Sequence, residues 1–322
     1  MENPIGMCTY LTGNQTLLSS ENYSPEDALV LAELSYFKFE DVFKDYQNRS
    51  ISAPLFATKI YDKQVNLSRD ERIFLLHVAN NDRFSNCMIT NMAAENESSQ
   101  WAALTCHIND GTDSVVVVMR GTDGTVLGWT EDLNLAYSCG TNAQKLSAEY
   151  INNISAENIY LCGHSKGGNN VMSGFLTTTQ AIRNKVLRVD NFDGPGVNSD
   201  FLKAHAEEYK ELSSILNNYY PKDSIIGLLL NDNPGNSYFV SCEVRPQYKD
   251  KGILGEHDPF SWKFTEDGHF AYTSQSLLSG VVDHLLDDIT KRLSRKERTE
   301  LISVLEKLGV PGIIAHKSNH SS

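Results

Sequence analysis

Residues 158–170 read NIYLCGHSKGGNN, and this stretch is the most informative part of the sequence. A short apolar run, 158–162, leads into a G-x-S-x-G pattern centred on Ser165, and a helical pattern follows. In that context the serine lies on a strained turn between a strand and a helix, where bulky side chains two positions away would clash. Glycines at 163 and 167 avoid the clash. The stretch therefore predicts that Ser165 lies at the tip of a nucleophile elbow, at a helix N-terminus that favours negative charge.

Strands and helices alternate on both sides of this elbow. The strongest strand is Ser114–Met119, because four consecutive valines favour burial on both faces. Further strands are predicted at 87–92, 101–107, 158–162, 186–192, 215–220 and 238–244, and helices after Ser24, after Ser68, at 142–154, after Ser165, at 200–211, at about 272–290 and at 295–308. From Val115 onward the alternation predicts an α/β fold with a mostly parallel central sheet covered by helices on both faces, extended by the earlier strands as an antiparallel edge.

Composition sets limits on the class of protein. The chain has 322 residues, 40% hydrophobic and 21% charged, with a formal net charge of −13. We interpret it as a single domain over 1–322, with a helical N-terminal extension at 1–85 and C-terminal helices and a flexible tail at 272–322. The net negative charge argues against nucleic acid as a partner, because it repels the phosphate backbone. No apolar run approaches the roughly 20 residues of a membrane span and no signal peptide is recognisable, so the expected location is the cytoplasm.

Several segments resemble known enzymes. Those similar to the class 3 (fungal-type) triacylglycerol lipases are VVVMRGTD at 116–123, WTEDL at 129–133 and GHSKGG at 163–168. Those closer to a bacterial group of uncharacterised, lipase-like α/β-hydrolases are DALVLAELS at 27–35, NFDGPG at 191–196 and HDPFSW at 257–262. The resemblance implies an α/β-hydrolase fold, an intracellular protein and an ester substrate, either a small molecule or a lipid.

A catalytic serine needs a base, and the base needs an orienting carboxylate. In α/β-hydrolases the carboxylate follows the serine and the histidine comes last. Asp223 follows the predicted strand at 215–220, and its context YYPKDSIIGLL resembles the lipase segment D-x-V-P that bears the triad aspartate. We therefore predict Asp223 as the acid. Asp193 in NFDGPG is the alternative, interpreted as a residue that shapes its turn.

The histidine also has two candidates. His257, in GEHDPFSW, follows the last predicted strand, where this fold presents its catalytic histidine on a loop. His284, in VVDHLL, is the competitor, because fungal-type lipases carry their histidine in a similar D-H-L context. We predict His257, since the segment around His284 has a helical pattern. His164, beside the serine, is interpreted as structural.

The oxyanion hole is predicted to use the backbone N–H of Lys166 and, by resemblance, that of Thr122. Arg120 is expected to pair with a nearby carboxylate such as Asp132. The lipases carry leucine where this chain has Lys166. We expect its side chain to extend into solvent, and the alternative hypothesis is that it recognises an anionic group of the substrate, with Lys166→Leu as the test.

These residues predict a serine hydrolase that cleaves carboxylic esters without a cofactor. The chain contains no H-E-x-x-H sequence and no phosphate-binding G-x-G-x-x-G sequence, and no metal is expected. A thioesterase, acyltransferase or amidase would use the same groups, and a hydrolase-like binding protein is a further alternative. Apolar residues are available either for an acyl pocket or lid or for the core, namely Val126, Leu127, Trp129 and 225–230.

Overall fold

The computed structural model describes residues 5–95, 100–121, 141–197, 199–224, 226–227, 234–246 and 254–275. Within these ranges the strands form one sheet, in which each strand lies beside the next along the chain. The strands are β1 (Ile51–Ser52), β2 (Cys87–Glu95), β3 (Trp101–Ile108), β4 (Ser114–Met119), β5 (Asn158–His164), β6 (Val186–Phe192), β7 (Leu216–Pro221), β8 (Asn236–Val240) and β9 (Tyr272–Thr273). Strands β4 to β8 pair in parallel, and the pairs at both edges are antiparallel, so the predicted mixed sheet is confirmed.

The helices follow the local signals of the sequence. They are α1 (Gly6–Gly13), α2 (Pro25–Leu34), α3 (Phe39–Val42), α4 (Ala53–Lys63), α5 (Arg69–Ala79), α6 (Asn142–Asn152), α7 (Lys166–Thr177), α8 (Gln180–Arg183), α9 (Ser199–Ala204), α10 (Ala206–Ser213) and α11 (Leu254–His257). The side chains of Ser24 and Ser68 each cap a helix by accepting a hydrogen bond from the backbone N–H three residues later, and the acidic side chain of that later residue accepts a hydrogen bond from the backbone N–H of the serine. Both predicted helix starts are confirmed.

Strand β4 separates two hydrophobic cores. Val116 and Val118 face one core, and Val115 and Val117 face the other, because successive side chains of a strand point to opposite faces. All four valines are fully buried. The prediction of a strand buried on both faces is confirmed.

The two faces of the sheet are covered in different ways. Crossovers between parallel strands are right-handed as a rule, which predicts that the helices between neighbouring strands lie on one side of this sheet. In agreement, the buried residues of α6, α7 and α10 share one core. The opposite face would then lack a cover. Helices α1, α2, α4 and α5 supply it, and their apolar residues share the second core with the sheet. The N-terminal segment is therefore part of the central packing.

A buried ion pair joins that N-terminal segment together. The guanidinium of Arg83 donates to both carboxylate oxygens of Asp27, at 2.5 and 2.6 Å, and the hydroxyl of Tyr10 donates to Asp27 Oδ1 at 2.5 Å. The side chains of Arg83 and Asp27 are almost fully buried. Loss of one partner would leave the other charge uncompensated, which costs about 3–5 kcal/mol in such pairs.

Some predicted elements differ from the structure. The helix expected at 200–211 is divided at His205 into α9 and α10. The helix expected from about 272 begins instead with strand β9, which pairs with β8, and residues 276–322 lie outside the described ranges. In the part of the chain that the structure describes, no helix is long and apolar enough to cross a membrane.

Candidate active site

Ser165 lies at the turn between β5 and α7, as predicted. Its φ of 58° and ψ of −132° place a non-glycine residue in a strained backbone region. The flanking glycines are required by close packing: a Cβ on Gly163 would overlap the backbone of Gly167, and a Cβ on Gly167 would overlap the carbonyl of Met119 at the end of β4. The strand–turn–helix arrangement thus holds the serine side chain at the carboxyl edge of the parallel strands.

His257 and Asp193 form a buried hydrogen-bonded pair near this turn. His257 ends the short helix α11, and its Nδ1 lies 2.6 Å from Asp193 Oδ2. His257 is 9% exposed and Asp193 is 0% exposed. The other oxygen, Asp193 Oδ1, accepts hydrogen bonds from the hydroxyl of Ser224 and from the backbone N–H of Gly227, the latter at 3.0 Å. The carboxylate is therefore fixed in place, and it orients the imidazole.

Asp193 takes the position beside His257 that the sequence analysis gave to Asp223, and this corrects that choice. Asp193 directly follows β6, and its left-handed backbone (φ 49°) turns the carboxylate into the interior. Asp223 lies beyond the end of β7, where it is half-buried and its backbone N–H donates to Glu256 Oε2 at 3.2 Å. Both aspartates satisfy the expected chain order, so the order alone could not distinguish them.

The turn that carries Asp193 is packed against the serine. The buried side chain of Asn191 accepts from the backbone N–H of Gly194 at 3.0 Å and holds the turn closed. A Cβ on Gly194 would overlap the carbonyl oxygen of Ser165. The backbone N–H of Ser165 donates to the carbonyl of Phe192 at 2.9 Å. The serine and the aspartate are thus held on neighbouring parts of one rigid frame.

His164 contacts the backbone of His257. Its Nε2 lies 2.9 Å from the carbonyl oxygen of His257, and the two ring centroids are 4.5 Å apart. Its Nδ1 lies 2.6 Å from the hydroxyl of Tyr36. Burial, together with the nearby His257, holds the pKa of His164 well below its ordinary value, so the ring is neutral. Sequence reasoning missed Tyr36, although it directly follows the recognised segment 27–35.

The remaining predicted residues have different outcomes. Lys166 is the first residue of α7 and is only 2% exposed, so the expectation that its side chain extends into solvent was wrong. Arg120 forms a bidentate pair with Glu40 of the N-terminal segment, at 2.9 and 3.2 Å. The predicted residues outside the described ranges are Thr122, Val126, Leu127, Trp129, Asp132, Ile225, Leu228, Leu229, Leu230 and His284.

The mostly parallel sheet with helices on both faces, and the strained serine between β5 and α7, are those of an α/β-hydrolase fold. The sequence matches the Mbeg1-like family over residues 78–307, and the chain belongs to that family. A search of functionally curated proteins finds no significant match.

Solved structures similar to this chain include several lipases. One is a triacylglycerol lipase whose catalytic centre is described as a serine protease triad; it is 12% identical, with 69% of this chain and 82% of that chain covered and a TM-score of 0.42. Lipase II from Rhizopus niveus is 12% identical, with coverages of 66% and 81% and a TM-score of 0.39. The lipase from Rhizopus microsporus var. chinensis is 12% identical, with coverages of 88% and 93% and a TM-score of 0.36.

Proposed function

We propose that this protein is a serine hydrolase that cleaves carboxylic esters through Ser165, His257 and Asp193. The observation that carries the proposal is the 2.6 Å hydrogen bond between His257 Nδ1 and Asp193 Oδ2, buried in the frame that also holds the strained Ser165. A serine on such a turn, with a histidine held in one orientation by a carboxylate, is the arrangement that nucleophilic acyl transfer requires.

The proposed reaction proceeds in two steps. Because Asp193 holds the proton on Nδ1 of His257, the Nε2 atom is available as a base. It accepts the hydroxyl proton of Ser165 while the serine oxygen bonds to the ester carbonyl carbon, and it then delivers that proton to the leaving alcohol. Water next attacks the acyl-enzyme with the same base, and it releases the carboxylic acid and regenerates Ser165.

Negative charge on the carbonyl oxygen requires hydrogen-bond donors. The backbone N–H of Lys166 lies at the N-terminus of α7, where the helix dipole favours that charge. By resemblance to the lipases, the backbone N–H of Thr122 is proposed as a second donor. Each such donor contributes about 3 kcal/mol of transition-state stabilisation in comparable sites.

The substrate class is proposed from the resemblance to lipases. Thioesters, amides and acyl transfer to other acceptors use the same nucleophile, base and oxyanion donors. A panel of substrates with matched acyl groups distinguishes these activities: the proposal expects turnover of oxygen esters to exceed that of the matching thioester and amide. Faster turnover of the thioester or amide would move the protein to the corresponding class.

The central experiment compares hydrolysis of fluorogenic esters, with acyl chains graded from acetate to palmitate, by wild type and variants. Ser165→Ala and His257→Ala are expected to abolish turnover. The matched controls are Ser173→Ala, whose hydroxyl donates only within α7, and His269→Ala, whose side chain is exposed. A wild-type protein with no turnover, or turnover that survives in Ser165→Ala, would contradict the proposal, and loss of activity in His284→Ala but not in His257→Ala would reassign the base.

A further inference from the structure

We propose that Tyr36 and His164 are positioning residues that set the backbone of His257, and hence the geometry of catalysis. This inference rests on the proposed function of His257 as the base. The two residues form a short chain of hydrogen bonds, with 2.6 Å from Tyr36 Oη to His164 Nδ1 and 2.9 Å from His164 Nε2 to the His257 carbonyl oxygen.

The chemistry of the atoms determines which group donates in each of these two hydrogen bonds. A carbonyl oxygen only accepts, so Nε2 of His164 carries a hydrogen and donates it to His257. Because His164 is neutral, its Nδ1 is then an acceptor, and the hydroxyl of Tyr36 donates to it. This series of hydrogen bonds ends at a peptide carbonyl, which takes up no proton near neutral pH. It therefore positions His257 rather than conducting protons.

The segment that carries His257 needs such support. Helix α11 has only four residues, and a single turn is not stable by itself. Consecutive carbonyls of this segment each accept a hydrogen bond from another group: that of Glu256 from the Trp262 indole at 3.1 Å, that of His257 from His164, and that of Asp258 from the backbone N–H of Ser261. Of the three donors, His164 is the one that lies on strand β5, directly before Ser165.

His164 thereby links the nucleophile to the base by a direct route. It is covalently bonded to Ser165, whose backbone N–H donates to Phe192, and Phe192 precedes Asp193. Asp193 holds the side chain of His257, and His164 holds its backbone. These contacts connect His164, Ser165, Asp193 and His257 in a ring. A displacement of His164 therefore changes the distance between the serine and the imidazole of His257. Misplacement by about 1 Å can reduce a rate about 100-fold.

Tyr36 extends this frame to the N-terminal segment. It lies two residues beyond the end of α2, and a Cβ on Gly121, after β4, would overlap its hydroxyl. The segment that covers one face of the sheet thus also supports the active site.

The test uses variants of the full-length protein that separate the two hydrogen bonds. In His164→Asn the side-chain amide reaches the position of Nδ1 and can keep the bond to Tyr36, but it is too short to reach His257. In His164→Gln the amide nitrogen reaches the position of Nε2 and can keep the bond to His257. Tyr36→Phe removes the hydroxyl alone, and Tyr61→Phe on α4 is its matched control.

Steady-state kinetics and imidazole NMR are then measured on each variant, with thermal melting to show that each is folded. We expect His164→Asn to lower kcat about 10- to 100-fold with little change in KM. His164→Gln should recover most of that loss, and Tyr36→Phe should lower kcat by a smaller factor. In wild type, His164 should show the Nε2–H tautomer, and the Nδ1–H signal of His257 should broaden or shift in His164→Asn.

The outcomes separate the two proposals. An inactive wild type with the expected NMR changes would overturn the esterase function and leave the positioning role supported. An active wild type whose kcat and His257 signal are the same in His164→Asn would overturn the positioning role alone. Equal losses in His164→Asn and His164→Gln, without any change in the His257 signal, would also contradict it.

Discussion

Replacement of Asp193 by asparagine tests the assignment of the acid. In wild type, Asp193 Oδ1 accepts two donors, from Ser224 and Gly227, and Oδ2 accepts the Nδ1–H of His257. An asparagine can keep only one acceptor oxygen. Because two donors face Oδ1, the oxygen is expected to stay there and the amide NH₂ to face His257. The imidazole must then accept through Nδ1 and carry its hydrogen on Nε2, which can no longer take the proton from Ser165.

The expected loss follows from this wrong tautomer. In a comparable triad the same change lowers kcat by about 10⁴-fold, which corresponds to about 5 kcal/mol of transition-state stabilisation. We expect a loss of about 10³- to 10⁴-fold in kcat for Asp193→Asn, measured with the best ester of the panel. Asp223→Asn is the control and should stay within a few-fold of wild type. A large loss in Asp223→Asn together with a small loss in Asp193→Asn would assign Asp223, and not Asp193, as the acid.

Three further changes test the rest of the account. Asp27→Ala leaves Arg83 buried without its counter-ion, so the free energy of unfolding in urea should fall by about 3–5 kcal/mol, and a fall below 1 kcal/mol would disagree with a buried pair. Gly167→Ala places a Cβ that overlaps the carbonyl of Met119 and should abolish turnover. Gly13→Ala, whose Cβ meets no described atom within 4 Å, should retain turnover. Burial raises the pKa of Asp190 to about 6, so its contribution to stability is full below about pH 4 and is lost as the pH rises through 6. Between these pH values the free energy of unfolding of Asp190→Asn, measured in urea, should rise by about 3 kcal/mol relative to that of wild type. A difference between the two proteins that does not change with pH would contradict this prediction.

Much of the fold could be predicted because its signals are local. The valines of β4, the capping serines before α2 and α5, and the run 186–192 each specify an element from neighbouring residues alone. Helices α1 and α4 were not predicted. Their burial depends on the uncovered face of the sheet, which is a property of the strand order and not of their own sequence.

The site was predictable only in part, for a related reason. Ser165 is marked by glycines on either side, which the close backbone packing of the turn requires. The choice between Asp193 and Asp223 depends on which turn folds inward, and that is decided by distant contacts such as those of Ser224 and Gly227 with the carboxylate. The burial of Lys166 is likewise set by tertiary packing, against the usual preference of lysine for solvent.

The most direct test of the central claim is covalent labelling with a fluorophosphonate, which reacts with activated serines. Intact-mass and peptide analysis should find one adduct on Ser165 in wild type, no adduct in Ser165→Ala, and an adduct at wild-type rate in Ser173→Ala. That pattern would establish an activated nucleophile at the predicted turn. A folded wild type that remains unlabelled, or a label that persists in Ser165→Ala, would contradict the account.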